Sequence, residues 1–140
     1  MYFRKVISIF TDKTFIKFIL VGFVNTFVGT VIMLLFYNIF HFGYWLSSAS
    51  NYFIGSIVSY LLNKHFTFHY KDKKNTSLIR FIINIIICYI LAFGIAKPFT
   101  KWILISTSVT IQENVSMIIG MIMFVLFNYL GQRFFTFKSD

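Results

Sequence analysis

The chain has 140 residues, of which 58% are hydrophobic and 12% charged, and its formal net charge is +9. That charged share is about half of what a soluble domain carries, so there is too little polar surface to cover a water-soluble globule; a single-domain membrane protein is indicated. The basic excess does not point to nucleic acid, because a basic nucleic-acid binder is polar as well, whereas a membrane chain retains Lys and Arg on its cytoplasmic side.

In chain order, the first segment carries Arg4, Lys5, Lys13 and Lys17. The apolar run behind it is too long for a signal peptide and lacks a small-x-small cleavage site, which predicts a retained helix over Phe15 to Phe40. From Phe18 to Asn63 there is no charged residue, too long a stretch for one span of about 20 residues and right for two. "HFGYW", His41 to Trp45, marks the break, with Gly43 as the turn signal and two interfacial aromatics. The second helix is expected over Ser47 to Phe66. A basic loop with Lys71, Lys73 and Lys74 follows.

Arg80 and Lys97 bracket the next apolar run. At about 1.5 Å per residue it falls short of a hydrocarbon core of about 30 Å, so both cations are expected to snorkel to the interfaces. The third helix is expected over Ser77 to Ala96 with Pro98 ending it, and the fourth over Val115 to Phe134. Cys88 is expected to be a small buried apolar residue, and no metal or disulfide spacing exists. Lys97 and Lys101 alone lie opposite the remaining Lys and Arg. This asymmetry predicts both termini in the cytoplasm.

A repeat runs through the chain. "LLNKHFTF", Leu61 to Phe68, returns as "LGQRFFTF", Leu130 to Phe137. At a shift of 69, Ser47, Asn51, Gly55, Ser59 and Asn63 fall on Ser116, Gly120, Phe124, Asn128 and Gln132, and Lys64 falls on Arg133. The positions are four apart and form one helix stripe. Small and amide residues gain nothing facing acyl chains, so the stripe is a packing or cavity surface. "FIKFILVGFVN", Phe15 to Asn25, likewise resembles "LIRFIINIIIC", Leu78 to Cys88, at a shift of 63, pairing Lys17 with Arg80. The expected fold is all-α, four transmembrane helices in two parallel-repeat hairpins, with an outer loop about six residues longer in the second. Lys17, Lys64, Arg80 and Arg133 would gather at the cytoplasmic interface.

These motifs resemble the GtrA-like family of small bacterial membrane proteins over nearly the whole chain. "FIKFILVGFVNT", "SYLLNKHFTF", "LIRF" and "FNYLGQRFFTF" carry the resemblance. Members commonly end each half with Asn, then a cation, an aromatic, a small or branched residue and Phe. Asn63, Lys64, Phe66, Thr67 and Phe68 fit the first copy, and Asn128, Arg133, Phe135, Thr136 and Phe137 the second. His65 departs from the expected small-polar or basic type, and Thr67 and Thr136 stand where Val is usual. The resemblance implies a multi-pass protein of the bacterial cytoplasmic membrane that decorates cell-surface polysaccharide, O-antigen or teichoic acid. Its implied role is to flip a polyprenyl-phosphate-linked sugar, such as one on undecaprenyl phosphate, for an outer-face glycosyltransferase. The alternative is a non-transporting accessory subunit that anchors a membrane glycosyltransferase.

The residue types suit that cargo. Its phosphodiester wants Lys or Arg at the membrane surface, which Lys17, Lys64, Arg80 and Arg133 supply. Asn63 and Gln132 would orient the cations. The sugar wants amides and hydroxyls along a path, and Asn25, Asn51, Ser59, Asn84, Asn114 and Asn128 are available, with interhelical glue as their competing role. Gly22 and Gly29 flank Asn25 on one helix face, where they would open a groove for the tail or serve close packing; Gly55 and Gly120 belong to the packing stripe. All four acids, Asp12, Asp72, Glu113 and Asp140, are placed in loops or at ends, which argues against a proton-coupled exporter. No nucleophile with a base, metal set or phosphate loop is present, so neither an enzyme nor a cofactor is expected. The expected partners are the lipid-linked sugar, membrane lipids and membrane glycosyltransferases, and no nucleic acid. Two hairpins enclose little volume, which leaves room for a homodimer.

Overall fold

The structure, a computed structural model, describes residues 1–71 and 75–138, and within these the side chains at 44, 45, 48, 49, 51 and 52 lie outside the description. Lys73 and Lys74 of the basic loop, the acids Asp72 and Asp140, and the side chain of Asn51 therefore fall outside the described residues. The described residues are helical, with no strand among them. The chain divides into two compact units, Met1–Lys71 and Asp72–Asp140.

The first unit opens with α1, Tyr2–Thr11, a short helix that the apolar pattern alone did not announce. Its last turn stops at Asp12, whose extended backbone and side chain start the next helix: Asp12 Oδ1 accepts the Phe15 N–H at 2.9 Å. A carboxylate there satisfies one of the free amide donors of a helix start. The long helix α2 spans Lys13–Asn38 and packs on α3, Tyr44–Leu62.

The turn between them is where "HFGYW" placed it, but its geometry differs. His41, not Gly43, takes the left-handed backbone, with φ 55°. Gly43 is extended and precedes α3, and Ser47 N–H donates to its carbonyl at 3.0 Å. The Phe42 N–H reaches back to the Phe36 carbonyl at 2.9 Å, and the rings of Phe36, Phe40 and Phe42 pack within 6.0 Å of one another. That ring cluster fixes the turn by packing, so no glycine is required at the left-handed position.

The second unit repeats the plan. Helix α4 spans Thr76–Ile103 and packs on α5, Val109–Gly131. Its start lies 63 residues after that of α2, and the end of α5 lies 69 residues after that of α3. The shifts read from the sequence are thus the shifts of the structural elements. The extra residues of the second half lengthen helices rather than the loop. Helix α4 has 28 residues to 26 in α2, and α5 has 23 to 19 in α3.

Two expectations are corrected here. Pro98 does not end the third helix, which continues to Ile103. A helical proline ring crowds the carbonyl four residues back. Here that carbonyl belongs to Gly94. The buried Thr100 hydroxyl donates to the Ala96 carbonyl at 2.7 Å. That bond lies in the turn beyond the proline, whose missing N–H leaves the Gly94 carbonyl without its usual helical donor. The fourth helix begins at Val109, not Val115, and so carries Glu113 near its exposed start rather than leaving it in a loop. Ser108 accepts the Ile111 N–H at 3.4 Å, and Gln112 donates to the Leu104 and Thr107 carbonyls at 2.8 and 3.1 Å, closing the turn below it.

Three helical stretches are long and apolar enough to cross a membrane: Tyr2–Asn38, Thr76–Ile103 and Val109–Thr136. With 19 residues, α3 is the shortest of the four paired helices.

Candidate functional site

Neither α3 nor α5 ends as an ordinary α-helix. Each passes into one π-helical turn, Asn63–Thr67 in the first unit and Gln132–Thr136 in the second. The widened ring is visible in the backbone: Phe68 N–H donates to the Asn63 carbonyl and Phe137 N–H to that of Gln132, both at 2.9 Å. Single π turns are rare and concentrate at functional positions. The two turns cover the repeated motif residue for residue, so the motif encodes a backbone geometry as well as side chains.

In each unit the π turn packs against both helices of its hairpin. That places the motif cation and the cation that opens the partner helix at one end of the unit. Lys17 on α2 lies over the Phe66 ring at 5.2 Å, and Arg80 on α4 lies over the Phe135 ring at 5.9 Å. Lys64 lies over Tyr60 at 5.6 Å, and Arg133 over Tyr129 at 5.8 Å, one helical turn earlier in each case. Each of these cation–ring contacts in one unit has its repeat partner in the other. Lys17 Nζ also lies 3.2 Å from His69 Nε2, and His69 is left-handed with φ 49°, which lets Tyr70 N–H return to the Lys64 carbonyl at 2.8 Å.

Burial separates these cations from the rest. Lys17, Lys64, Arg80 and Arg133 are half-buried, whereas Arg4, Lys5, Lys13, Lys71, Lys97, Lys101 and Lys138 are exposed. A topogenic anchor needs only charge near a membrane end and gains nothing from partial desolvation. An aromatic face offsets part of that desolvation, by about 0.5 to 2 kcal/mol.

Behind the cations lie the amides of the stripe. In the first unit Thr67 donates to Asn63 Oδ1 at 2.8 Å, and Asn63 Nδ2 donates to Ser59 Oγ at 3.2 Å. Asn63 is 1% exposed and Ser59 half-buried. Gly55, also buried, lets Asn25 approach, for a Cβ there would lie 2.8 Å from Asn25 Oδ1, an atom that is itself buried without a hydrogen-bond partner. In the second unit Asn84 Nδ2 and Gln132 Nε2 both donate to Asn128 Oδ1, at 2.8 and 3.1 Å. Cys88, buried as expected, points its thiol at Asn84 Oδ1 from 3.4 Å. Gly120 admits the Phe93 ring, whose nearest atoms would lie 2.6 Å from an added Cβ.

The structure thus places Lys17 and Lys64 at the same end of the first unit, and Arg80 and Arg133 at the same end of the second. Asn114 is exposed on α5, away from these clusters. Gly29 is buried, while Gly22 is exposed beside open space. The sequence reading passed over the ring partners, although Tyr60 with Lys64 and Tyr129 with Arg133 are repeated at a spacing of four. It also passed over Gly131, against which Asn84 packs so closely that a Cβ would collide with its amide. No repeat signal could have found that position, because its counterpart is Leu62.

No curated protein and no solved structure matches the chain. The family model described as GtrA/DPMS, transmembrane domain, matches residues 17–137, from the first motif cation to the last residue of the second ending. With its apolar helices and its twice-written site, the chain is a helical membrane protein and belongs to the GtrA/DPMS transmembrane-domain family.

Proposed function

We propose that this protein flips a polyprenyl-phosphate-linked sugar across the bacterial cytoplasmic membrane for cell-surface polysaccharide or teichoic acid glycosylation. In this reading α2, α3, α4 and α5 all span the bilayer, both chain ends are cytoplasmic, and the chain itself catalyses no covalent step. The observation that carries it is the half-burial of four cations on aromatic faces, two in each unit, against seven exposed cations elsewhere among the described residues. Lys64 and Arg133 would take the phosphodiester oxygens, helped by Lys17 and Arg80. The amides behind them, Asn25, Asn63, Asn84, Asn128 and Gln132, would meet sugar hydroxyls. Asn25 Oδ1 and Gln132 Oε1, buried acceptors without a protein partner, support this. Leaving such an atom unpaired costs about 1 to 3 kcal/mol.

The test is transport of a fluorescent polyprenyl-phosphate sugar by the purified chain in vesicles. Protein-dependent loss of inner-leaflet probe, abolished by joint Lys64→Gln and Arg133→Gln substitution, is the expected result. A chain that moves no probe in vesicles yet is required for surface glycosylation in cells would favour the accessory-subunit reading instead.

A further inference from the structure

Helix α1 has no part in the site, and its composition is unlike that of the other helices. None of its residues is buried. Tyr2, Phe3, Val6 and Ile7 are exposed. With Ile9 and Phe10 they occupy one half of the helix surface. Arg4, Lys5, Ser8 and Thr11 occupy the other half, and the helix contains no acid. The Ser8 and Thr11 hydroxyls bond back to the Lys5 and Ile7 carbonyls at 2.8 and 3.1 Å. A helix of this length without a buried face is not stable in water, where about 12 to 15 residues are marginal. Something must cover its apolar half.

Length shows what that cover is. Helix α2 alone has 26 residues. At about 1.5 Å per residue it is about 39 Å long and already exceeds a hydrocarbon core of about 30 Å. An α1 continuing along the same axis would carry its apolar residues out into water. The chain instead breaks at Asp12, with ψ 167°. Across that break the Phe10 ring packs edge-on against Phe15 of α2, centroids 5.6 Å apart, which holds α1 at the mouth of the span. One residue separates it from the membrane end, where Lys13 and Lys17 also lie. The cations on its polar half match the anionic headgroups found at a bilayer surface.

We infer that α1 is an interfacial docking helix, seated in the headgroup layer with Phe3, Val6 and Ile7 in the acyl boundary and Arg4 and Lys5 on anionic lipid. The inference rests on the reading of α2 as a span, and the experiment separates the two. Spin labels are placed singly at Ile7, Ser8 and Phe27 in a full-length Cys88→Ala chain. The protein is reconstituted in phosphatidylcholine vesicles with and without phosphatidylglycerol. The Phe27 label should be relaxed by dissolved oxygen and shielded from a water-soluble nickel chelate, as a lipid-facing site on α2; failure there removes the span reading itself. With Phe27 so placed, Ile7 should behave like it and Ser8 in the opposite way. An Ile7 label open to the chelate, or shielded from both reagents as under protein, overturns the docking helix. Phosphatidylglycerol should sharpen the contrast, and joint Arg4→Gln and Lys5→Gln substitution should reduce the ratio of seated to unseated helix by about fivefold per charge. An equal contrast in both vesicles overturns the assignment to anionic lipid.

Discussion

Gly131 and Asn84 carry the closest approach in the second unit. Elsewhere in a helix interior, Gly→Ala gains up to about 1 kcal/mol from propensity. At Gly131 the methyl would meet the Asn84 amide, and overpacking of about 1 to 3 kcal/mol outweighs that gain. Gly131→Ala should therefore lower the melting temperature in detergent, whereas Gly22→Ala, facing open space, should not. In an Asn84→Ala background the Gly131→Ala penalty should vanish, a non-additivity expected only of residues in contact. The two threonines make a second contrast. Thr67 donates to Asn63, but Thr136 Oγ1 is buried without a partner, because the longer Gln132 side chain reaches back to Asn128 instead. Thr67→Val should cost about 1 to 3 kcal/mol by stranding Asn63 Oδ1, and Thr136→Val should cost little. Equal losses in chemical or thermal unfolding would show that the two halves have not diverged in this way.

At the scale of elements, each π turn holds a motif cation, an aromatic and a buried amide in a single turn. A lysine or arginine used only as an anchor can be exchanged for any neighbouring cation. Lys64→Gln and Arg133→Gln should each abolish surface glycosylation while leaving abundance and insertion unchanged. Lys71→Gln, a charge loss just past the same turn but at an exposed position, should be silent. Comparable loss from Lys71→Gln, or none from Lys64→Gln, would reduce the motif to an anchor. The element boundaries show how far pattern reading reaches. Apolar runs located all four long helices, yet they missed α1, whose apolar residues are interrupted by Arg4, Lys5 and Ser8 in helical rather than continuous order. They also stopped α4 at Pro98, because a proline inside a helix costs about 3 kcal/mol or more, whereas the helix continues to Ile103.

The whole molecule is two units of one plan. If both are hairpins entering from the cytoplasm, the loop beyond Lys71 and both chain ends share that side. Single cysteines at Lys71 and Lys138, in a Cys88→Ala background, should react with a membrane-impermeant maleimide only after the cells are opened, and one at Lys101 should react in intact cells. Labelling at Lys71 from outside would invert the arrangement and remove the parallel repeat. The half-buried cations bear on the same scale, since one anion site in each unit would give a lipid phosphate two equivalent holding points.

The sequence by itself determined the membrane class, the long helices, the repeat shifts of 63 and 69 and the four motif cations, because each rests on composition or on a period that one chain displays. Of the stripe it marked, Ser47, Gly55 and Asn63 are buried and Ser59 is half-buried. Only the tertiary structure decided what the stripe meets. Gly55 turns to Asn25, Gly120 to Phe93 and Gly131 to Asn84, which are contacts between the two helices of a hairpin, made by residues distant in sequence and independent of any local period. It alone set Lys17 over Phe66 and Arg80 over Phe135, since the pairing depends on where two helices of a hairpin end side by side. The left-handed residue at the first turn went to His41 rather than Gly43 for the same reason: three phenylalanine rings packed there, and packing outweighed the backbone preference of a single residue.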